Sequence, residues 1–401
     1  MLVLEFILHL IEYIVFIYFG FASIYIFIFA FAGLFKQKKR KIKEQKKRKY
    51  AVLIPGYKED SVIVEVAEKA LQQSYFKEFY DVVVIADSFQ PETLDTLRQL
   101  PIKLVEVSFE KSTKSKALNK AMETIGDAYD VALILDADNI MEPDFIEKVN
   151  DAFDQGYIVV QGHRAAKNLN TSFAILDAIS EEVNNQIFRK GHRNLGLSSA
   201  LIGSGMAFNY HFFKSTMNKV NAVGGFDKEL ELKLLKDGKK IEYLHDAVVL
   251  DEKVQKADVF GNQRKRWLSA QFIYFKRYVW SGIKELLVKG NIDFFDKVYQ
   301  MVSPPRILLL GIVTFITVFY LLIGVFHLNK PFTILPDYWY IVFCITVLAF
   351  IMAVPKKFYN PKTLKAVSSL PKAFFTMLLS LFKLKGANKK FIHTQHGKIG
   401  N

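Results

Sequence analysis

Two aspartates one residue apart, Asp136 and Asp138 in Leu135-Asp136-Ala137-Asp138-Asn139, follow a short apolar run that reads as a buried strand. Side chains two apart on a strand point to one side, so both carboxylates can face one ligand. Paired oxygens suit Mg2+ or Mn2+ shared with a diphosphate. Strand-end aspartates also cap the helix that follows, so the pair by itself leaves both readings open. Farther along, Gln263-Arg264-Lys265-Arg266-Trp267 has helical character, which places Gln263 and Trp267 one turn apart with Arg266 beside them. A guanidinium suits a diphosphate, and an indole face suits a sugar ring or a cation. In isolation the same cluster reads as an amphipathic helix with Trp267 in the core; its occurrence in order after the strand-end acids favours the ligand. No G-x-G-x-x-G follows the first strand and no G-x-x-x-x-G-K-[ST] occurs, which removes the phosphate cradles of dinucleotide and P-loop folds.

The elements that must position these residues are legible between residues 50 and 162. Runs of β character (YAVLIPG, DVVVIAD, IKLVEV, DVALILD, YIVVQG) alternate with helical segments such as SVIVEVAEKALQQ and KSKALNKAMETI. That alternation predicts an α/β fold with a doubly wound, mainly parallel sheet. Such sheets bind ligands at the carboxyl ends of their strands. The first strand ends in Pro55-Gly56-Tyr57-Lys58-Glu59-Asp60, the second in Ala86-Asp87-Ser88 and the fourth in the aspartate pair.

A chain of 401 residues that is 51% hydrophobic, with 36 Phe and 18 Tyr, is too apolar for an ordinary soluble protein. Residues 13–35 carry no charge over 23 positions, and at about 1.5 Å per residue reach about 35 Å, enough to cross a bilayer. A signal peptide does not fit, because no basic segment precedes so long an apolar stretch. Residues 307–326 and 338–354 predict two later spans. Glu5, His9 and Glu12 would share one helix face ahead of the first span, where an interfacial role is expected. Residues 36–49 hold ten Lys/Arg against one Glu, supplying +9 of the formal +14. Together with KKFYNPK after the third span, they place residues 36 to about 305 in the cytoplasm. A basic run at a membrane edge is explained by anionic lipid, so no nucleic-acid partner is expected. A single cysteine, Cys344, excludes a disulfide framework and a Cys-rich zinc cluster. His163, His192, His211 and His245 lack metal-ligand spacing and are expected in structural or surface roles.

At these residues the chain resembles the membrane-bound family 2 glycosyltransferases, the inverting GT-A enzymes that include cellulose, chitin, hyaluronan and poly-N-acetylglucosamine synthases. The likeness covers roughly residues 50–305 and the flanking spans. It is carried, in order, by VLIPGYKED, the Asp of IAD, LDADN, IGSGMAF, GGFDKELELKLL and QRKRW. It implies a Rossmann-like GT-A domain inserted between transmembrane helices, with amphipathic interfacial helices. The corresponding divisions are a transmembrane helix at 1–35, a basic juxtamembrane segment at 36–49 and a catalytic domain at 50–270, then interfacial helices at 271–305, two transmembrane helices at 306–354 and an interfacial helix with a basic tail at 355–401. The resemblance further implies a UDP-sugar donor and Mg2+ or Mn2+.

Carried over by position, Tyr57, Glu59 and Asp87 would line the nucleoside end and Lys114 would match the lysine before ALN. Asp136 and Asp138 would hold the cation and diphosphate. Gly203, Ser204 and Gly205 would form part of the acceptor channel. Gln263, Arg266 and Trp267 would match QxxRW, the first two near the diphosphate and the indole below the acceptor sugar. The proton acceptor is where the chain departs from the pattern: Phe226-Asp227-Lys228-Glu229-Leu230-Glu231 replaces the usual Glu-Asp, leaving Glu229 or Glu231 as the base, with Glu229 favoured by alignment of LELKLL. Lys58 also stands where the family commonly has Asn.

The leading expectation is a transferase of the bacterial inner or plasma membrane that extends a polysaccharide processively and is coupled to its export. A non-processive enzyme acting on a lipid-linked acceptor is the nearest alternative. With three spans, a closed polymer channel would call for a homo-oligomer or an accessory export subunit. A catalytically silent membrane scaffold draws support only from the altered acidic motif. A carrier is disfavoured because neither late span contains a charge.

Overall fold

A computed structural model describes residues 2–37, 45–220, 225–255, 257–326 and 336–381. The centre of the basic run (38–44), residues 221–224 ahead of the acidic segment, the link between the late spans (327–335) and the tail from 382 onward lie outside the described residues, together with the readings made for them.

Among the described residues, eight strands form one sheet: β1 (Tyr50–Tyr57), β2 (Tyr80–Asp87), β3 (Lys103–Val107), β4 (Val131–Ile134), β5 (Ile140–Met141), β6 (Val159–Ala166), β7 (Met206–Asn209) and β8 (Glu242–Asp251), in the order β3-β2-β1-β4-β7-β6-β8-β5. Strands β1 to β4 are mutually parallel, β7 runs antiparallel to both β4 and β6, and β8 is parallel to β6. The five runs read from the sequence all form strands. β5, β7 and β8 carried no comparable signal. β5 has two residues and β7 four, and β8 slips register against β6 after Gly162, which interrupts its alternation.

Both faces of the sheet are covered, as the continuous apolar strands require. Ala51 and Leu53 of β1 pack with Leu118, Phe208, Phe213 and Leu230 on one face. Val52 and Ile54 pack with Ile63, Val66, Phe145 and Val149 on the other. Each such aliphatic or aromatic side chain taken from water stabilises the fold by roughly 1.5–3 kcal/mol.

Three helices among the described residues are long and apolar enough to cross a membrane: Glu5–Ala32, Arg306–Val325 and Pro336–Ala353. Helices Pro361–Val367 and Leu370–Leu381, bent by 43° at their break, would make a fourth span if taken as one. The first helix runs Leu2–Ala32 without interruption, so the uncharged stretch is only part of it. Glu12 lies within this continuous helix. It is buried against the second span, where its carboxylate accepts a hydrogen bond from Tyr320 Oη at 3.1 Å.

The C-terminal end of this first helix is joined to the α/β domain through a π-helical segment, Asn185–Gly191. Phe29 stacks on the buried His192 ring at 3.7 Å. Tyr25 Oη donates to Asp296 Oδ1 at 2.6 Å, reaching helix Ile292–Val302. Val183, Ile187 and Phe188 share one apolar core with Ala22, Ile26, Leu309 and Trp339, so the sheet domain and the spans are continuous in packing. Gly191 makes the close approach feasible, since a Cβ there would lie 2.0 Å from the Phe29 carbonyl oxygen.

Replacing Gly191 by Ala should therefore push the first helix off the domain and cost about 1–3 kcal/mol, read as a lower Tm of the detergent-purified protein. Gly324→Ala, where an added Cβ has nothing within 4 Å, is the control that should leave the Tm unlowered.

Candidate active site

The sheet order changes direction of winding at β1, with β2 on one side and β4 on the other, so the loops after β1 and β4 part and leave a crevice. A cavity of about 290 Å³ opens there. Tyr57, Glu59 and Asp87 enter it from the ends of β1 and β2, and Lys114 from the start of helix Lys114–Ile125. Asp136 and Asp138 enter from the turn after β4, and Gln263, Arg266 and Trp267 from helix Ala257–Lys289. Residues spread over more than two hundred positions thus meet around one small volume.

The aspartate turn is held from below by Gly203-Ser204-Gly205. Ser204 Oγ accepts the Asp136 backbone N–H at 2.9 Å and donates to Asn139 Oδ1 at 2.7 Å. Gln161 secures the same segment, donating to Ser204 O at 2.9 Å and accepting the Ile202 N–H at 3.0 Å. Gly203 and Gly205 have φ of 86° and 61°, left-handed values that glycine adopts without strain. The three residues do not line the cavity; Gly203 reaches it through its carbonyl, which accepts Lys114 Nζ at 2.8 Å. Lys114 also pairs with Asp136.

Glu229 and Glu231, the acids expected near the acceptor, do not line the cavity either. Helix Phe226–Lys236 turns them into the protein. Glu229 pairs with Lys233 at 2.9 Å and with Arg277 at 3.8 Å, and Glu231 with Lys297 at 2.5 Å. Burial pulls the Lys297 ammonium down to about 8 even with Glu231 beside it. Asp227, in the first turn of this helix, stands against Gly203 instead, 3.9 Å from where a Cβ on that glycine would lie.

The sequence reading did not single out Arg164, Asp177, Glu181, Asp251 or Glu252, all of which line the cavity. Arg164 pairs with Glu181 at 2.8 Å and with Asp251 at 3.5 Å. Glu181 also takes Arg189 at 3.0 Å, and Asp251 takes Lys253 at 2.7 Å. Asn139 Nδ2 donates to both Asp251 Oδ1 and Asp138 Oδ1 at 3.0 Å, linking this network to the aspartate turn. Burial opposes the charge on Glu181, but Arg164, Arg189 and Lys253 outweigh it and hold the carboxyl well below its ordinary range. Asp251 is lowered in the same way against its burial, by Arg164 and Lys253. Burial draws Arg266 below its usual value. Asp251-Glu252 ends a buried strand, so the logic that found Asp136 applies to it; Arg164 carries no local signal.

No three His, Cys, Asp or Glu side chains converge as a ready cation cage among the described residues. Asp136 and Asp138 nevertheless present an all-oxygen donor set at the cavity wall, which fits Mg2+ or Mn2+ completed by phosphate and water oxygens.

The sequence family described as "Glycosyltransferase like family 2" matches residues 47–270. No curated protein matches the chain. Among solved structures, the chain is similar to a mannosyltransferase from Pyrobaculum calidifontis in complex with GDP-Man and Mn2+, at 16% identity and a TM-score of 0.50, over 85% of this chain and 97% of that one. It is also similar to S. aureus TarS (1–349) in complex with UDP-GlcNAc, at 14% identity and a TM-score of 0.41, over 85% and 90% of the two chains. The first of these likenesses supports the fold assignment.

Two outcomes follow from the local geometry. Lys58 holds φ at 55° beside Tyr57, a conformation that Asn tolerates better, so Lys58→Asn should raise stability by about 1 kcal/mol in thermal melts. Glu181 and Asp251 are lowered in the fold, so their contribution is complete above the ordinary carboxylate range and is lost as pH falls through their folded values. An acid series of melting temperatures should therefore fall more steeply for the wild type than for Glu181→Gln.

Proposed function

The chain belongs to glycosyltransferase-like family 2, and on that basis we propose that it is a membrane-embedded, metal-dependent transferase that moves a sugar from a UDP-sugar, with inversion, to an acceptor carried at the membrane. The observation that carries this reading is the position of Trp267. It lines the small cavity of strand-end acids and also a second, apolar cavity of about 790 Å³ between the sheet domain and the spans. A donor in the first and an acceptor entering from the second would meet at its indole.

In this reading Tyr57, Glu59 and Asp87 receive the nucleoside, and Lys114 and Arg266 lie against the diphosphate. Asp138, with Asp136, would hold Mg2+ or Mn2+, and the ion would supply positive charge opposite the diphosphate as it leaves. Lys114 exchanges part of its pairing with Asp136 for the diphosphate, so its charge follows the developing negative charge without leaving the site. Glu229 and Glu231 tie helix Phe226–Lys236 to helices Ala257–Lys289 and Ile292–Val302 through their pairs with Arg277 and Lys297.

The acceptor side favours a lipid-borne acceptor over a threaded polymer. The wall beyond Trp267 is mainly aliphatic, including Leu176, Ile179, Ile307 and Val354, whereas a passing glycan needs polar partners along its length. Processive synthesis with export is supported by the QxxRW spacing and the late spans, and would draw on a second copy or an export subunit. The Lys/Arg-rich flanks support a cytoplasmic catalytic domain at a bacterial inner or plasma membrane. Trp280, Leu287, Val288 and Ile292 are exposed along the following helices, as expected of segments resting on lipid.

UDP release measured with Mn2+ across a panel of UDP-sugars should single out one donor, and Asp138→Asn should lower that turnover by about a hundredfold or more with little change in Tm. Folded protein that releases UDP from no donor would favour the silent scaffold.

A further inference from the structure

The larger cavity contains a charge that the transfer chemistry described so far does not use. Arg306, at the start of the second span, lines it together with Arg264. Arg264 is committed: it pairs with Asp177 and lies 4.4 Å from the centre of the Trp267 ring. Arg306 has no carboxylate within ion-pair distance among the described residues, and its guanidinium sits 5.0 Å from the centre of the Phe188 ring. Glu181 faces it only at longer range, alongside the like charges of Arg264 and Arg189. A guanidinium held against aliphatic walls with two cations for neighbours is costly unless an anion joins it.

The rest of the cavity suits a hydrocarbon. Its volume of about 790 Å³ lies between helix Ser172–Asn184, the second and third spans and the two C-terminal helices. Ile351, Tyr359 and Leu364 at its lip are exposed, so an apolar chain can enter from the bilayer side. The Arg306 cation lies in the same cavity as Trp267, the residue shared with the donor site. One molecule satisfies both features: a phosphate on a long apolar chain, with its head toward Arg306 and its tail among the helices.

Resting on the transferase reading above, we propose that the acceptor is a long-chain lipid phosphate monoester, bound by Arg306 through its phosphate and by the apolar cavity through its chain. The chemistry agrees with the placement of the acids. A phosphate oxygen attacks the sugar C1, the bond from C1 to the diphosphate oxygen breaks, and UDP leaves with the electron pair. A dianionic phosphate monoester becomes a monoanionic diester, and the dianionic UDP-sugar yields trianionic UDP. Charge balances without a proton moving, so no carboxylate is needed as a base. That removes the demand on Glu229 and Glu231, which are held in ion pairs away from the cavity.

The test uses the full chain in nanodiscs of zwitterionic lipid, with farnesyl phosphate as probe and farnesol and inorganic phosphate as comparisons. Binding is followed by tryptophan fluorescence and transfer by mass spectrometry. Farnesyl phosphate should bind at least about tenfold more tightly than either comparison, and Arg306→Gln should lose about that factor. Should Arg306→Gln fold poorly, Leu364→Glu, which places a like charge at the exposed lip, should weaken the same binding. Equal binding of farnesol or of inorganic phosphate, or full binding by both variants, would overturn the site. Asp227→Asn should keep sugar transfer to farnesyl phosphate within about threefold, whereas a drop on the order of a hundredfold would show a base at work and overturn the proton-free step. Farnesyl phosphate binding without UDP release from any donor would uphold the lipid site and sink the transferase reading; UDP release without such binding would do the reverse.

Discussion

The architecture around the strand ends depends on the pairing of charges that folding removes from water. Arg164, Glu181, Arg189, Asp251 and Lys253 are buried or nearly so, and each would be prohibitively costly alone. Together they bind β6, β8, helix Ser172–Asn184 and the π-helical segment into one body. Asn139 extends that body to Asp138, the residue on which the proposed metal site rests. The acids that would bind the ion are thus linked to a network of contacts extending well beyond their own turn.

The same helix and π-helical segment connect the strand-end cavity to the long apolar helices. Val183, Ile187 and Phe188 pack with the spans, His192 stacks on Phe29, and Tyr25 crosses to Asp296. The sheet domain therefore shares a continuous core with the helical bundle, and that packing sets the orientation of its cavity toward the long apolar helices. This explains how one side chain, Trp267, can divide a polar cavity from an apolar one. Its helix crosses from the sheet to the bundle, so the indole borders both the strand-end crevice and the apolar gap between the sheet domain and the long helices.

The unusual acidic segment also takes on meaning in this setting. Glu229 and Glu231 face Lys233, Arg277 and Lys297 because helix Phe226–Lys236 packs its apolar side, Leu230 and Leu234, into the sheet core. Their carboxylates are then left toward the neighbouring helices. Lys58 shows the reverse relation, a side chain of poor local preference held at a left-handed φ in the turn after β1, where the Asp87 carbonyl accepts its N–H at 3.1 Å.

The hydrophobic period and the strand-end residues determined much of this protein before any packing was known. They placed the parallel strands, the apolar helices, the acids at the ends of β1, β2 and β4 and the helical face of Gln263, Arg266 and Trp267, because strand alternation and helical spacing are local properties; Lys114 came only with the family resemblance, and Gly203-Ser204-Gly205 does not line the cavity. They could not place β7 and β8, whose short or bulged runs owe their pairing to partners distant in the chain. Nor could they place Arg164, Arg306 or the facing of Glu229. A lone arginine has no periodicity, and which way a carboxylate turns depends on the cations that tertiary packing brings beside it. The tertiary structure alone decided which charges are spent on one another and which, like Arg306, are left facing a cavity, because pairing is a property of neighbours in space.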